Sequence, residues 1–440
     1  VEFGKHIGKG IWGVAGKGLP VLYGFAYVLL VIRVLPEEEF GTFVLIQEVF
    51  LVISGLATAF ALQPLLKFAA EERTDTAGVI TVSLLLQAAF LVPTSLLVVA
   101  LRPVAVSVFN AGSLGAVWNY IPAMLAASFA RNFTLIVLQS RFRVREVFWV
   151  DAAHFLGAPG LIWVLSRMHE FDTAEDLIII NLISLSASSL LGLWLSRSLL
   201  RITAHPRRKD YRQMWDYGKY SLGGVASYLV YSKADTFILA GYTGPLQVAL
   251  YNSAKVFTRV FEMVGQVAQM FLLPAVSMLS SRGEQGSLRA VVEKSIMFLT
   301  VALLPVSAVF LLAPSLLLQI LYQGKYAEAA PLLRIFALLS FVVPLYAVCS
   351  NALMGLGRAR EGFLLGLAML VISIASYFVL IPPWATAGAA LGFVLSSFVL
   401  GLLSARVTVT YVPFTAAGVL RRVMDITVFV STNARRFFSR

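Results

Sequence analysis

Six polar side chains recur at intervals of 3, 4, 3, 4 and 3 along an otherwise apolar stretch from Val248 to Leu273: Asn252, Lys255, Arg259, Glu262, Gln266 and Gln269. On an α-helix, residues three and four apart are neighbours, so the six share one face roughly 25 Å long at about 1.5 Å per residue. Lipid cannot hydrate such a face. Three charged groups at the centre of a membrane helix cost roughly 8–10 kcal/mol, and the Leu, Val and Phe of the stretch return only about 3–7 kcal/mol on the same insertion scale. The face must therefore look onto a polar cavity or onto charged partners inside a helix bundle. Lys255 and Arg259 suit an anion: Arg grips a phosphate through two parallel hydrogen bonds, and Lys acts as a mobile point charge. The structural alternative is a clamp in which Glu262 neutralises one of the two bases.

Further charges fall within apolar stretches. Lys219 and Lys233 are fourteen residues apart, four helical turns, and share a face. Lys219 is close enough to a helix end to snorkel. Asp235 points away from Lys233 and would pair with a neighbouring helix. Toward the amino terminus lie Lys17, Glu48, Arg131, Asn132, Asp151 and His154. Arg131 joins Lys233, Asn252, Lys255 and Arg259 as a candidate anion ligand. Glu48, Asp151, Asp235 and Glu262 are the candidates for H⁺ or Na⁺ coupling, each weighed against a role as a packing partner. The set is mixed, five basic (Arg131, Lys219, Lys233, Lys255, Arg259) against four acidic.

The elements that must position these residues follow from composition. The chain has 440 residues, 59% hydrophobic and 13% charged, with a mean hydropathy of +0.82. Soluble domains carry about 25% charged residues. The expectation is an all-α polytopic membrane protein of about twelve helices. Windows of about 20 apolar residues place the spans at 10–32, 40–62, 77–100, 114–139, 147–166, 176–198, 217–240, 247–273, 291–313, 331–354, 361–381 and 386–410. The first is too long for a signal-peptide core and lacks a small-residue cleavage site.

A net charge of +12 would suit nucleic acid if it were clustered on a soluble face. Instead, basic residues fill alternate loops: Arg141, Arg143 and Arg145; Arg197 through Arg212; Arg358 and Arg360; Arg421, Arg422, Arg435, Arg436 and Arg440. The intervening loops carry Glu37, Glu38, Glu39, Glu170, Asp172, Glu175 and Asp176. This positive-inside pattern sets both termini in the cytoplasm, with anionic membrane lipids as partners and no nucleic acid. Cys349 is the single cysteine, so no intramolecular disulfide forms. The four histidines lack ligand spacing, and neither a metal nor a cofactor is expected.

The longest hydrophilic stretch, residues 201–216, separates six spans from six. It divides a six-helix lobe (1–200) from a second (217–412), and a basic amphipathic tail (413–440) follows. A weak repeat supports this. RVLPEEEFGTF (33–43) follows the first span and GYTGPLQVALY (241–251) the seventh. Each has a proline-containing turn and then a long helix expected to end near a proline, Pro64 or Pro274. The parallel repeat is one transporter architecture. Gly13, Gly16, Gly18 and Pro20 make the first span the likeliest to bend, with Pro20 and Lys17 as gating residues; close packing of small residues is the alternative. Loops are too short for a catalytic domain. The acidic turn 36–39 lacks the large outer loop that a glycosyltransferase metal site needs, and no GxxxxGK[ST] loop is present. The protein is therefore not expected to be an enzyme or to hydrolyse ATP.

LPEEEFGTFVLIQEV (35–49), ADTFILAGYTGPLQVALYNSAKVFTRV (234–260), ILYQGKYAEAAPLLRIFAL (320–338) and NALMGLGRARE (351–361) resemble polysaccharide-biosynthesis flippases of the O-antigen type, in the multidrug/oligosaccharidyl-lipid/polysaccharide exporter superfamily. The resemblance covers nearly the whole chain. It implies two pseudo-symmetric lobes around a central cavity, alternating access, and a polyprenyl-pyrophosphate oligosaccharide moved from the inner to the outer leaflet, with glycan polymerase machinery as a partner. Asn252, Lys255 and Arg259 map to the cavity by position. The chain departs from fourteen-helix members by ending after twelve spans. Rivals are an ion-coupled multidrug exporter, which would want an acidic aromatic cavity, a peptidoglycan-precursor flippase, and a membrane glycan polymerase or ligase, which would need large catalytic outer loops.

Overall fold

A computed structural model describes residues 30–70, 76–109, 111–168 and 172–425, together with Trp12, Ala15, Gly16, residues 18–20, Tyr23 and Gly24. Among the described residues there are helices and no strands. Contacts divide the chain into two compact units, Val1–Ala249 and Leu250–Arg440.

The first unit contains α1 (Glu37–Ala57), α2 (Gln63–Ala70), α3 (Thr76–Ala100), α4 (Tyr120–Ser140), α5 (Val144–Phe155), α6 (Gly157–Arg167), α7 (Ala174–Ser196) and α8 (Arg208–Thr243). Helix α9 (Pro245–Lys255) crosses the boundary. The second unit continues with α10 (Arg259–Ser281), α11 (Gln285–Leu312), α12 (Pro314–Tyr322), α13 (Ala330–Phe336), α14 (Leu339–Gly355), α15 (Ala359–Val409) and α16 (Ala416–Arg421). Seven helical stretches are long and apolar enough to cross a membrane, and the pair Ala327–Phe336 and Leu339–Gly355, bent by 44°, makes an eighth. Helix α15 is two spans joined at Ala385, where φ is 45°, after the Pro382–Pro383 pair. Helices α8 and α10 fall outside the apolar set because polar side chains interrupt them. Counted with those, the described helices match the expected spans from 40–62 onward. The first expected span, with Lys17, lies largely outside the described residues. Pro20 is helical and exposed.

Local chemistry explains the element ends. Helix α1 starts after Pro36 with Glu37, Glu38 and Glu39 in its first turn, where carboxylates favour the helix dipole. The Glu39 carboxylate also accepts the Ala174 N–H at 2.7 Å, so part of the acidic turn caps α7. Thr173 and Asp176 complete a capping box there. Gly244, at φ 78°, closes α8.

The expected helix end at Pro64 is replaced by a π-turn at Thr58–Leu62, after which the helix continues through Ala70. Proline cannot donate to the carbonyl four residues earlier, here Phe60, and a π-turn takes up the misfit. Gly218 of α8 packs on that carbonyl; a Cβ there would sit 2.3 Å from Phe60 O. Pro274 likewise lies inside α10 rather than at its end.

The basic stretch 201–216 is not wholly a linker, because α8 begins within it at Arg208. Helix α8 packs on α1, α2, α3 and the π-turn, and Met214 joins the apolar core of Leu62, Leu65, Val79, Phe133 and Val137. By packing, the seventh expected span therefore belongs with the first six, and the unit boundary falls one helix later than the basic stretch. In the second unit, Leu272, Val276, Val292, Ile296, Val348 and the buried thiol Cys349 form the corresponding core. The tail beyond Phe414 forms the short helix α16, capped by the Thr415 hydroxyl.

Candidate anion-binding site

The helix carrying the polar stripe is broken once. Helix α9 ends at Lys255, a 3₁₀ turn covers Val256–Thr258, and α10 begins at Arg259. The Thr258 hydroxyl donates to the Lys255 carbonyl at 2.7 Å, a side-chain bond that competes with the helical ladder. The uninterrupted helix expected over 247–273 is therefore hinged between the two bases.

The stripe survives the break. Asn252 and Lys255 are half-buried and Arg259, Glu262 and Gln266 are exposed, whereas the flanking Tyr251, Ala254, Thr258, Phe261 and Ala268 are buried. The Gln269 side chain lies outside the description. The Lys255 ammonium lies 5.6 Å from the centroid of the Tyr251 ring and 5.9 Å from that of Phe393 on α15. Phe336 packs edge-on against Phe393, with centroids 6.1 Å apart. Such contacts hold a cation at about 0.5–2 kcal/mol each without cancelling its charge. Tyr251, one turn before Lys255, was legible in the i, i+4 spacing. Phe393 was not, because it comes from another helix.

The expected clamp does not form: among the described residues Arg259 makes no ion pair, with Glu262 or otherwise. Arg259 is thus exposed one turn from Lys255, whose ammonium is held over aromatic rings. This arrangement can bind a phosphate or pyrophosphate.

In the first unit the candidates come together differently. Lys233 Nζ lies 2.7 Å from Glu48 Oε2 and 2.9 Å from Oε1, joining α8 to α1. Arg131 is buried; it pairs with Asp151 at 2.5 Å, donates to Ser188 Oγ at 3.1 Å and lies 5.3 Å from the Phe155 ring centroid. His154 Nδ1 is 2.8 Å from Ser184 Oγ, and Asn132 donates to Ser54 at 3.1 Å. The buried Asp235 accepts from the Thr236 backbone N–H at 2.7 Å. Lys219 pairs with Asp216 at 2.7 Å. Two of the candidate bases are thus partnered by two of the candidate acids. Among the described residues no cluster of His, Cys, Asp or Glu could hold a metal ion.

The polysaccharide biosynthesis protein family is matched over residues 30–331, more than half of the chain. The chain belongs to that family. Two relatives are archaeal. An uncharacterised membrane protein of Methanocaldococcus jannaschii, MJ1068, is 26% identical over 194 residues, covering 44% of this chain and 38% of that protein. The probable low-salt glycan biosynthesis flippase Agl15 of Haloferax volcanii is 23% identical over 270 residues, covering 61% of this chain and 54% of that protein. The matches thus span only about four to five tenths of those relatives' lengths. Among solved structures, this member of the polysaccharide biosynthesis family is similar to an inward closed lipid II flippase MurJ, with a TM-score of 0.73, 12% identity, and 96% and 92% of the two chains covered. It is also similar to an inward-facing multidrug resistance MATE transporter of the multidrug/oligosaccharidyl-lipid/polysaccharide superfamily, with a TM-score of 0.71, 18% identity, and 91% and 98% covered. The chain shares the fold of these two solved structures.

Proposed function

We propose that the protein is a flippase that moves a polyprenyl-pyrophosphate-linked oligosaccharide from the inner to the outer leaflet of the cytoplasmic membrane, for cell-surface polysaccharide biosynthesis. The observation that carries this is the Lys255 ammonium over Tyr251 and Phe393 with the exposed Arg259 one turn on. A diphosphate needs two cations of this kind, and the 3₁₀ hinge between them lets their separation adjust. Asn252 and Gln266 on the same face offer hydrogen bonds to sugar hydroxyls. Family membership and the flippase named among the relatives support the reading. Alternating access would expose the site to each leaflet in turn, with Pro20 in the bending element.

Arg131 and Lys233, each already partnered, serve the bundle before they serve the cargo. Of the four acids, Glu262 is exposed on the stripe and is the one we assign to H⁺ or Na⁺ coupling. Its presence beside the two bases also keeps export of cationic drugs as the second reading.

The test is transport in proteoliposomes. Exposure of a polyprenyl-pyrophosphate oligosaccharide to an added glycosidase should depend on the protein and should fall sharply in Lys255→Ala/Arg259→Ala. Movement of a cationic dye without movement of the glycan would transfer the assignment to drug export.

A further inference from the structure

Helix α8 is 36 residues long, about 54 Å at the α-helical rise, whereas the hydrocarbon core of a bilayer is about 30 Å thick. Its first two turns must therefore stand outside the hydrocarbon, at headgroup depth. There the side chains follow a definite pattern. Arg208, Tyr211, Arg212 and Trp215 are spaced i, i+3, i+4 and i+7 and share one face, and Lys209 adjoins it.

That face lines a cavity of about 850 Å³ with Leu86 of α3 as its apolar wall. Trp215 is 53% and Tyr211 40% exposed, and Trp215 is fixed edge-on against Phe60 with ring centroids 5.3 Å apart. Amphipathic aromatic rings of this kind settle where one end is apolar and the other wet.

The acids nearby do not neutralise the cavity. Asp210 is buried, and its carboxylate accepts the Arg207 backbone N–H at 3.1 Å. Asp216 is taken by Lys219 at 2.7 Å and reaches Arg212 only at 3.8 Å across an exposed surface. Among the described residues Arg208 and Lys209 make no ion pair.

We infer that this cavity binds the phosphate headgroup of an anionic lipid. Arg208, Lys209 and Arg212 take the phosphate, and the acyl or prenyl chain lies along Leu86 and Trp215. Neither Lys255 nor Arg259 lines the cavity, and the site does not depend on which cargo the protein carries. Two lipids present the same chemistry, an anionic bilayer phospholipid and a polyprenyl pyrophosphate.

The test is native mass spectrometry of the full chain titrated with phosphatidylglycerol or with phosphatidylcholine. The wild type should retain phosphatidylglycerol preferentially. Arg208→Gln/Lys209→Gln/Arg212→Gln should lower that affinity on the order of 100-fold, from about 1 kcal/mol per basic residue at the membrane surface, and leave phosphatidylcholine unaffected. Arg208→Lys/Arg212→Lys, which keeps the charge, should retain the preference, and Lys255→Gln/Arg259→Gln should leave it unchanged. Thermal unfolding of each variant separates loss of the site from loss of the fold. Unchanged phosphatidylglycerol affinity in the folded triple variant would overturn the assignment. Displacement of phosphatidylglycerol by polyprenyl pyrophosphate would assign the site to the prenyl lipid, and its persistence would assign it to the bilayer phospholipid.

Discussion

Lys233 of α8 and Glu48 of α1 form an ion pair at 2.7 Å, with their side chains 24% and 13% exposed. The two residues carry opposite candidate roles, one as an anion ligand and the other as a coupling acid, and in the first unit each satisfies the other. Removing one partner strands the other charge in a poorly hydrated place. Lys233→Ala or Glu48→Ala should therefore destabilise by about 1–3 kcal/mol, less than a fully buried pair because both remain partly wet. Lys233→Met/Glu48→Met should recover most of the loss. Thermal unfolding in detergent measures all three. A Lys233→Ala variant of wild-type stability that no longer transports would instead make Lys233 a ligand.

Lys255 and Arg259 should behave differently, because Lys255 is held over the Tyr251 and Phe393 rings and Arg259 is exposed, with no ion pair among the described residues. Each alanine substitution should reduce transport at least about tenfold, the weight of one charged hydrogen bond at about 1.5–3 kcal/mol, with little change in unfolding temperature. Lys255→Arg should keep most of the activity, since guanidinium also stacks on aromatic faces. Initial rates in proteoliposomes provide the comparison.

Gly41 of α1 has no room for a side chain. An added Cβ would lie 1.9 Å from the Pro245 carbonyl oxygen at the start of α9. The two segments of the sequence repeat meet at this point, backbone against backbone. Gly41→Ala should cost about 1–3 kcal/mol by overpacking, and Gly41→Val more. Gly223→Ala, where nothing lies within 4 Å of an added Cβ, is the matched control.

The tail beyond α15 is tied to α11. Arg422 and Arg289 both reach the buried Glu293, at 3.2 and 2.8 Å, and Lys294 lies 3.1 Å from Asp425. The hydrogen bond from Lys294, then its charge and that of Arg422, hold the Asp425 carboxyl below the usual carboxylate range. A carboxyl whose folded pKa is depressed contributes above its unfolded pKa, about 3.9, and loses that contribution as pH falls through the folded value. A spin label at Arg421→Cys should therefore show unchanged mobility from neutral pH down to about 4.5 and loosen only in stronger acid. In Asp425→Asn the label should be looser at neutral pH too. Loosening of the wild type near pH 6 would contradict this account.

Hydropathy and charge were enough to establish a multi-pass helical protein, the division of α15 into two spans and the polar face of α9 and α10, because the cost of wetting or burying a side chain is paid residue by residue along the chain. The same i, i+4 spacing could have pointed to Tyr251, one turn before Lys255. The partners across the bundle were not legible. Phe393 over Lys255, Asp151 on Arg131, Glu48 on Lys233 and Glu39 capping α7 all join residues distant in sequence. The π-turn before Pro64 and the 3₁₀ hinge at Val256–Thr258 were missed because several backbone solutions satisfy one proline or one threonine, and packing selects among them. The sequence by itself determined which side chains lipid cannot hold. Only the tertiary structure decided which of them answer one another and which, like Arg259, face open space, because a charge is neutralised by what lies within a few ångströms of it and that distance is set by packing between helices.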